Sequence, residues 1–242
     1  VLALLTYVSA LLYYLPAGWL WQWLAPRLVL PADVRVDAVT GRLWQGQVMA
    51  HWAQQGFTVH WALKPGGLLR GELPLALSLR SAQARVDGVV AARWPDRWHM
   101  TIEPTRIDMQ ALSMFWQEGV TLDGQIQVDG LTLAGQGARW SLVEGQGGWS
   151  GGRVTWPMGS EMGEASMPPL QARIQTQQDQ VQLHVKDAQS AAPSFTGTLA
   201  QDGWLQFRVH RRLLDLTGQR WGQASSTPET VIFQMRHRVP LG

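Results

Sequence analysis

The sequence predicts an all-β protein: antiparallel sheet arranged in two tandem similar units behind an N-terminal transmembrane helix, with two short helices among the strands. Three observations carry this reading. Apolar and polar residues alternate with period two along most of the chain beyond Pro31. The chain opens on an uncharged, mostly apolar run. Sequence features also recur at a spacing of roughly 105 residues.

Composition agrees and excludes several functions. Of 242 residues, 45% are apolar and 16% charged, which is too apolar for long disorder. The 14 Trp, 25 Gly and 24 Gln supply large apolar anchors and uncharged outer faces for strands. A net charge of +2 provides no basic footprint for nucleic acid, so no nucleic-acid partner is expected. The absence of Cys excludes a disulfide scaffold, a thiol nucleophile and a thiolate metal site.

Residues 1–26 form the expected membrane anchor and interfacial segment. Val1–Leu15 is nearly all apolar but short of the roughly 20 residues a spanning helix needs. The chain starts on Val, so preceding residues are expected to complete the span. No A-x-A cleavage site follows, and apolar character continues through Trp19, Trp21 and Trp23, as in a retained anchor rather than a cleaved signal. With Tyr13 and Tyr14, those tryptophans fit an aromatic belt at the lipid boundary, where Pro16 and Gly18 are expected to end the helix. Leu4, Leu11, Leu15, Trp19 and Trp23 are the anchor residues of this reading, and everything beyond Pro31 lies in the periplasm.

The strands follow. Trp44, Gly46, Val48, Ala50 and Trp52 alternate with polar residues, as do Phe57, Val59, Trp61 and Leu63. A two-residue turn at Gln55-Gly56 would set Trp52 against Val59 and Ala50 against Trp61. The same alternation runs through Leu73–Leu79, Ala84–Trp94, Trp98–Ile102, Val120–Val128, Leu170–Ile174, Val181–Val185, Leu205–Val209 and Val231–Met235. One dry face per strand means antiparallel sheet. Parity runs unbroken through Asp87-Gly88 and Asp123-Gly124, placing both inside long strands, whereas Pro95-Asp96-Arg97 and Gln201-Asp202-Gly203 are turns. Met109–Glu118, with Asp108 as N-cap, and Arg211–Arg220 have helical spacing. The Met, Gly, Ser and Pro content between Trp156 and Pro169 predicts a loop.

Val39-Thr40-Gly41 with Trp44-Gln45-Gly46 recurs as Val143-Glu144-Gly145 with Trp149-Ser150-Gly151, and Asp96-Arg97-Trp98 recurs as Asp202-Gly203-Trp204. The expected units are residues 33–119, ending in the first short helix, and 120–239, containing the second.

Little of the chemistry looks reactive. His51 and His60 would face each other on the wet side of the first hairpin, but no third ligand lies nearby, so both read as solvated strand residues, like His99, His184 and His210. The Gly-rich run Gly145–Gly152 lacks the Lys-Ser/Thr end of a phosphate loop and reads as a bent strand. No G-x-S-x-G elbow occurs and no pair of carboxylates stands out, so no catalytic residue, cofactor or metal site is assigned and an enzyme is not expected. Trp44, Trp52, Trp61, Trp98 and Trp140 take the dry parity, which argues against an exposed sugar-stacking platform. Trp204–Gly242 carries six Arg against Asp215 and Glu229.

A sheet with one dry face must close into a barrel, pack on a second sheet or leave a groove. Two short helices are too little cover for two units. Trp44, Trp52, Trp61, Gly88, Trp98, Gly124 and Val128 are the expected lining of an apolar groove, the glycines leaving room.

An anchor ending in Leu15-Pro16-Ala17, the run Val39-Thr40-Gly41-Arg42-Leu43-Trp44-Gln45-Gly46, and Trp61-Ala62-Leu63-Lys64-Pro65 before a Leu-rich strand resemble the protein N family of the bacterial type II secretion system. The likeness covers roughly Leu15 to Val239. It implies an accessory inner-membrane component, single-pass with its C-terminal domain in the periplasm, in a machine that exports folded proteins across the outer membrane. Other inner-membrane components of that system are the implied partners. The family is also similar to AsmA-like proteins, whose strongly curved sheets form open half-barrels that hold membrane lipid, and this implies a lipid-binding groove as the alternative role.

Overall fold

Most of the period-two alternation in the described chain becomes strand. The computed structural model describes residues 14–27, 34–52, 55–64, 66–67, 71–82, 84–110, 112, 119–137, 139–159, 161–218 and 226–239. The chain divides into two compact units, residues 1–94 and 95–242.

In the first unit a helix, α1 (Ala17–Leu24), precedes a 3-10 turn at Ala25–Arg27. Five strands then form an antiparallel meander: β1 (Val34–Arg42), β2 (Gln45–Trp52), β3 (Gln55–Leu63), β4 (Glu72–Ser81) and β5 (Arg85–Arg93). The start of α1 is fixed by Pro16, whose extended backbone (φ −69°, ψ 135°) caps the helix while the residue bridges to Arg42. Tyr14 is helical and Leu15 and Pro16 are not, so a helix ends at Pro16 as the sequence reading has it, but α1 opens directly after it and Gly18 lies inside α1. Among the described residues no helix is long and apolar enough to cross a membrane. The predicted span lies outside them except for Tyr14 and Leu15, and of the anchor residues Leu4 and Leu11 are likewise outside.

The second unit begins with β6 (Arg97–Ile102) and β7 (Thr105–Asp108), which pair successive stretches of one long strand, β9 (Gln125–Gln136). β10 (Arg139–Trp149) follows, then β13 (Leu170–Gln177), β14 (Gln180–Asp187), β15 (Phe195–Ala200), β16 (Trp204–His210), the helix α2 (Arg211–Leu216) and β17 (Val231–Arg238). The sheet order is β6-β9-β10-β13-β14-β15-β16-β17. Between β10 and β13 the chain makes a separate sheet from β8 (Thr121–Leu122), β11 (Gly152–Met158) and β12 (Glu161–Met167), in the order β12-β11-β8. All these pairings are antiparallel. Among the described residues β1 and β17 each have one strand neighbour, so the strand order does not close into a barrel. The prediction of an antiparallel all-β protein with few short helices holds.

Five expectations are corrected. First, Gln55 pairs with Trp52 and Trp61 with Gly46, so Gln55 and Gly56 lie inside β3 and the register is displaced from the one expected around a Gln55-Gly56 turn. His51 thus faces Gly56 and His60 faces Gln47, while the His51 ring donates to Asp37 Oδ2 at 2.5 Å. Second, Asp123-Gly124 is not interior to a strand. Gly124 has φ +95° and marks the point where the chain leaves the β8 sheet for β9. Third, the predicted loop after Trp156 is the β11–β12 hairpin, in which Trp156 pairs with Gly163. Pro157 masked it in sequence, yet it stands beyond the short pairing with β8, on a free edge where a missing N–H is harmless. Fourth, Trp94, placed on a dry face by parity, lies in a turn and is 88% exposed. Fifth, the first sequence recurrence is not structural: Trp44 sits in the two-residue turn between β1 and β2, whereas Trp149 ends β10. The second recurrence holds more loosely: Trp98 is the second residue of β6 and Trp204 the first of β16, and each strand follows a turn.

Asp87-Gly88 is interior to β5, with Gly88 opposite Leu77, and Gln201-Asp202-Gly203 is a turn. Of the predicted helix Met109–Glu118, residues 113–118 lie outside the described residues. Met109 and Gln110 form a 3-10 turn that Asp108 caps by accepting the Gln110 N–H at 2.9 Å. α2 stops at Leu216, short of Arg220, because Gly218 takes φ +71°.

Candidate functional site: an apolar trough in the second unit

The four strands β9, β10, β13 and β14 present one apolar face. Across it the register sets Ile126–Trp149–Leu170 in one row, Val128–Gly147–Ala172–Val185 in the next, and Leu131–Gly145–Ile174–Leu183 in the third. Large side chains stand on the outer strands, while β10 contributes glycine in two of the three rows. The result is a trough of about 330 Å³ floored by Gly145 and Gly147. Among the described residues its lining comes from these four strands alone.

Local chemistry explains why Leu131 joins this face. Ile126 and Val128 have even parity, so strict alternation would turn Leu131 away. A register shift leaves Asp129 as an extra residue between Val128↔Gly147 and Gly130↔Gln146, and Gly130 takes φ +152° to accommodate it. The bulge flips the parity of β9. Glycines at 145 and 147 are required in turn, since a Cβ on Gly145 would stand 2.8 Å from Leu131 Cδ1, and one on Gly147 would stand 2.5 Å from the Gln127 carbonyl oxygen. Trp149 spends its only polar atom on the Asp123 carbonyl, donated at 2.9 Å, so its ring presents apolar surface alone.

The reverse face of the same strands is polar. Asp129, Gln146, Gln171, Arg173, His184 and Lys186 line a hollow of about 530 Å³ there. One sheet thus separates a greasy side from a wet side.

Where the predicted groove residues fall can be stated singly. Val128 lines the trough. Trp44, Trp52, Trp61 and Gly88 belong to the first unit and are half-buried. Trp98 pairs with Gly135 of β9 and donates its indole N–H to the Gly137 carbonyl at 3.0 Å. Gly124 offers no room: its Cβ would collide with the Gly151 carbonyl and stand 2.9 Å from Trp149 Nε1. Sequence parity missed Leu131 because of the bulge, and missed Gly145 and Gly147 because the run was read for phosphate chemistry and bending.

A second cluster escaped the sequence reading altogether. Asp187, 1% exposed, accepts two hydrogen bonds from Arg212, from Nε at 2.8 Å and Nη2 at 3.0 Å, and a third from the Gln189 N–H. Those bonds, Arg212 first, hold its carboxyl below the usual value of 3.8 against the opposing effect of burial. His210 is buried rather than solvated as expected, its Nδ1 donating to the Glu229 carbonyl at 2.8 Å and its Nε2 standing 3.0 Å from Thr196 Oγ1. Ser194 is buried beside these strands, its hydroxyl without a partner. The serine, histidine and carboxylate are close in the fold, but each makes its bonds elsewhere, and no nucleophile–base hydrogen bond links them. The cluster ties α2 to β14, β15 and β16.

Fold and trough together define a class: an all-β protein of open antiparallel sheet with one apolar, unfilled face. The chain belongs to the family of protein N of the type II secretion system, whose model matches residues 32–229. No curated protein and no solved structure matches it.

Proposed function

We propose that this chain is a non-enzymatic, accessory inner-membrane component of the type II secretion system, acting from the periplasm in the export of folded proteins. The family match over residues 32–229 carries the reading. Exposed Tyr14, Trp19 and Trp23 support the anchored topology, because such rings are at home in the interfacial layer next to an apolar N-terminal run. Its partners are other inner-membrane components of that system and membrane lipid. The test is complementation: a strain lacking the gene loses export of its type II substrates to the medium and regains it with the wild-type chain. Export that is unaffected by the deletion overturns the assignment.

The alternative role, lipid binding, is favoured by one observation, the trough over Gly145 and Gly147. It is open, apolar and long enough to accept part of an acyl chain, with about 0.8 kcal/mol gained per methylene buried. Native mass spectrometry of the full chain in mild detergent is expected to show bound lipid. A chain that never carries lipid, and binds none when it is added, overturns this second role without touching the first.

A further inference from the structure

We propose that the outer edge of β17 is a strand-addition site for an extended protein segment in which acidic and apolar residues alternate. β17 has β16 as its single neighbour. An edge of eight residues leaves a row of backbone N–H and C=O groups to be satisfied, and natural sheets blunt such edges with Pro, Lys, bulges or a covering element. At β1 the cover exists: α1 and its flanks lie against it through the Leu43 N–H on the Leu15 carbonyl at 3.1 Å and the Pro16–Arg42 bridge. β17 contains neither Pro nor Lys, and after a register shift at its start it runs straight from Phe233 to Arg238. Among the described residues nothing is paired to its outer side.

The two faces of this edge specify the occupant. On one, Trp204, Gln206 and Arg208 of β16 pair with Arg238, Arg236 and Gln234 of β17, bringing three guanidinium groups to one surface. Arg236 stacks over the Trp204 ring at 4.2 Å, which holds it in place. The neighbouring cations Arg211 and Arg212 are spent on Asp215 and Asp187, but Arg208, Arg236 and Arg238 face no carboxylate among the described residues. On the other face Phe207 and Val209 pair with Met235 and Phe233, and Phe233 is 57% exposed. A strand added here sets every second side chain beside the arginines and the others beside Phe233 and Met235, so acidic residues must alternate with apolar ones. A second copy of β17 fits poorly, because it offers the arginine face no acidic side chain.

This inference rests on β16 and β17 alone, so its failure and that of the secretion role are distinguishable. Fluorescein-labelled peptides are titrated by anisotropy into the full chain in detergent: an eight-residue Val/Glu alternation, its Val/Lys counterpart, and a Val/Glu peptide N-methylated on alternate amides. The Val/Glu peptide is expected to saturate. About tenfold weaker binding is expected for the Val/Lys peptide, and for the Val/Glu peptide with R236Q/R238Q, the size that a few cross-strand charge pairs give, and for the N-methylated peptide through its lost ladder hydrogen bonds. Lack of saturation, equal binding of Val/Lys and Val/Glu, or indifference to N-methylation overturns the site. So does a dimer of the chain that the Val/Glu peptide fails to dissociate. The peptide comparisons use the wild-type chain, so they stand even where the variant misfolds.

Discussion

Trp61 lies across the sheet from Gly46, its ring occupying the space a Cβ would need, with its indole N–H donated to the Leu43 carbonyl at 3.1 Å. The arrangement recurs. Trp98 covers Gly135, where a Cβ would come within 2.5 Å of the ring, and Trp156 covers Gly163, where the distance would be 2.6 Å. A large ring over a bare backbone sets register more sharply than alternation does. Slipping by one residue turns the ring to the other face, and slipping by two sets it on a side chain.

This pairing makes a stability prediction. Trp61→Ala is expected to cost about 2–4 kcal/mol, through lost burial and an unpaired Leu43 carbonyl. Gly46→Ala is expected to destabilise as well, because the ring and the Thr40 carbonyl occupy the site of its Cβ. The double variant should fall short of the sum by about 1 kcal/mol, since the ring is already gone. Urea unfolding checks it, with Gln47→Ala, expected to cost about half a kcal/mol or less, as the reference. Strict additivity would show that the two residues do not set the register.

The Trp–Gly pairs also show what could be read from the sequence. Alternation located the strands, because period two needs nothing beyond each strand's own dry face. It could not locate the β2–β3 connection, because moving a hairpin by two residues on each arm keeps every apolar residue on the same face and leaves the pattern unchanged. It failed at Leu131, where a bulge inverts parity, and at the β11–β12 hairpin, where Pro157 and the glycines disguised a strand whose one large anchor is Trp156. The Asp187–Arg212 pair was invisible, because its members are 25 residues apart and meet only when α2 folds onto β14.

The absence of cysteine makes topology directly measurable. Trp94 is highly exposed in its turn, so Trp94→Cys is expected to react with a membrane-impermeant maleimide in spheroplasts without lysis. Trp19→Cys, beside the apolar segment, is expected to react more slowly there, shielded by lipid headgroups. Labelling of Trp94→Cys only after lysis would put the β units on the cytoplasmic side.

Asp187 predicts an acid limit to stability. Its carboxyl is held below 3.8 in the folded chain, chiefly by the Arg212 hydrogen bonds, so on acidification the unfolded chain takes up its proton first. The contribution is therefore complete above about pH 4 and is lost as pH falls through the lower folded value. Arg212 is shifted upward by the same bonds, so it stays charged and its share is constant through neutral pH. Asp187→Asn is expected to cost about 3–5 kcal/mol at pH 7, because it strands a partly buried guanidinium, and less at pH 3. Unfolding curves at the two pH values check this. A cost that does not shrink in acid would mean that packing, rather than the ion pair, holds α2 in place.

The trough itself is tested by two substitutions with opposite expectations. Ala172 sits in the row Val128–Gly147–Ala172–Val185, beside the bare backbone of Gly147, so a phenyl ring there has open space to enter. Ala172→Phe is expected to leave the unfolding midpoint nearly unchanged while filling the middle of the trough. A fluorescent fatty acid that loses contact for two methylenes loses about 1.6 kcal/mol, or more than tenfold in affinity, at about 0.8 kcal/mol each. Gly124 behaves otherwise, although parity also put it on the dry face. Its φ of +95° and the Gly151 carbonyl in the way of a Cβ make Gly124→Val a folding defect of about 1–3 kcal/mol. Fatty-acid affinity per folded molecule should then stay near wild type, because Gly124 is outside the lining. An Ala172→Phe chain that binds the probe as well as wild type would show that the acyl chain, if held, lies elsewhere on the sheet. A Gly124→Val chain of undiminished stability would show that the crossing from β8 to β9 does not depend on glycine.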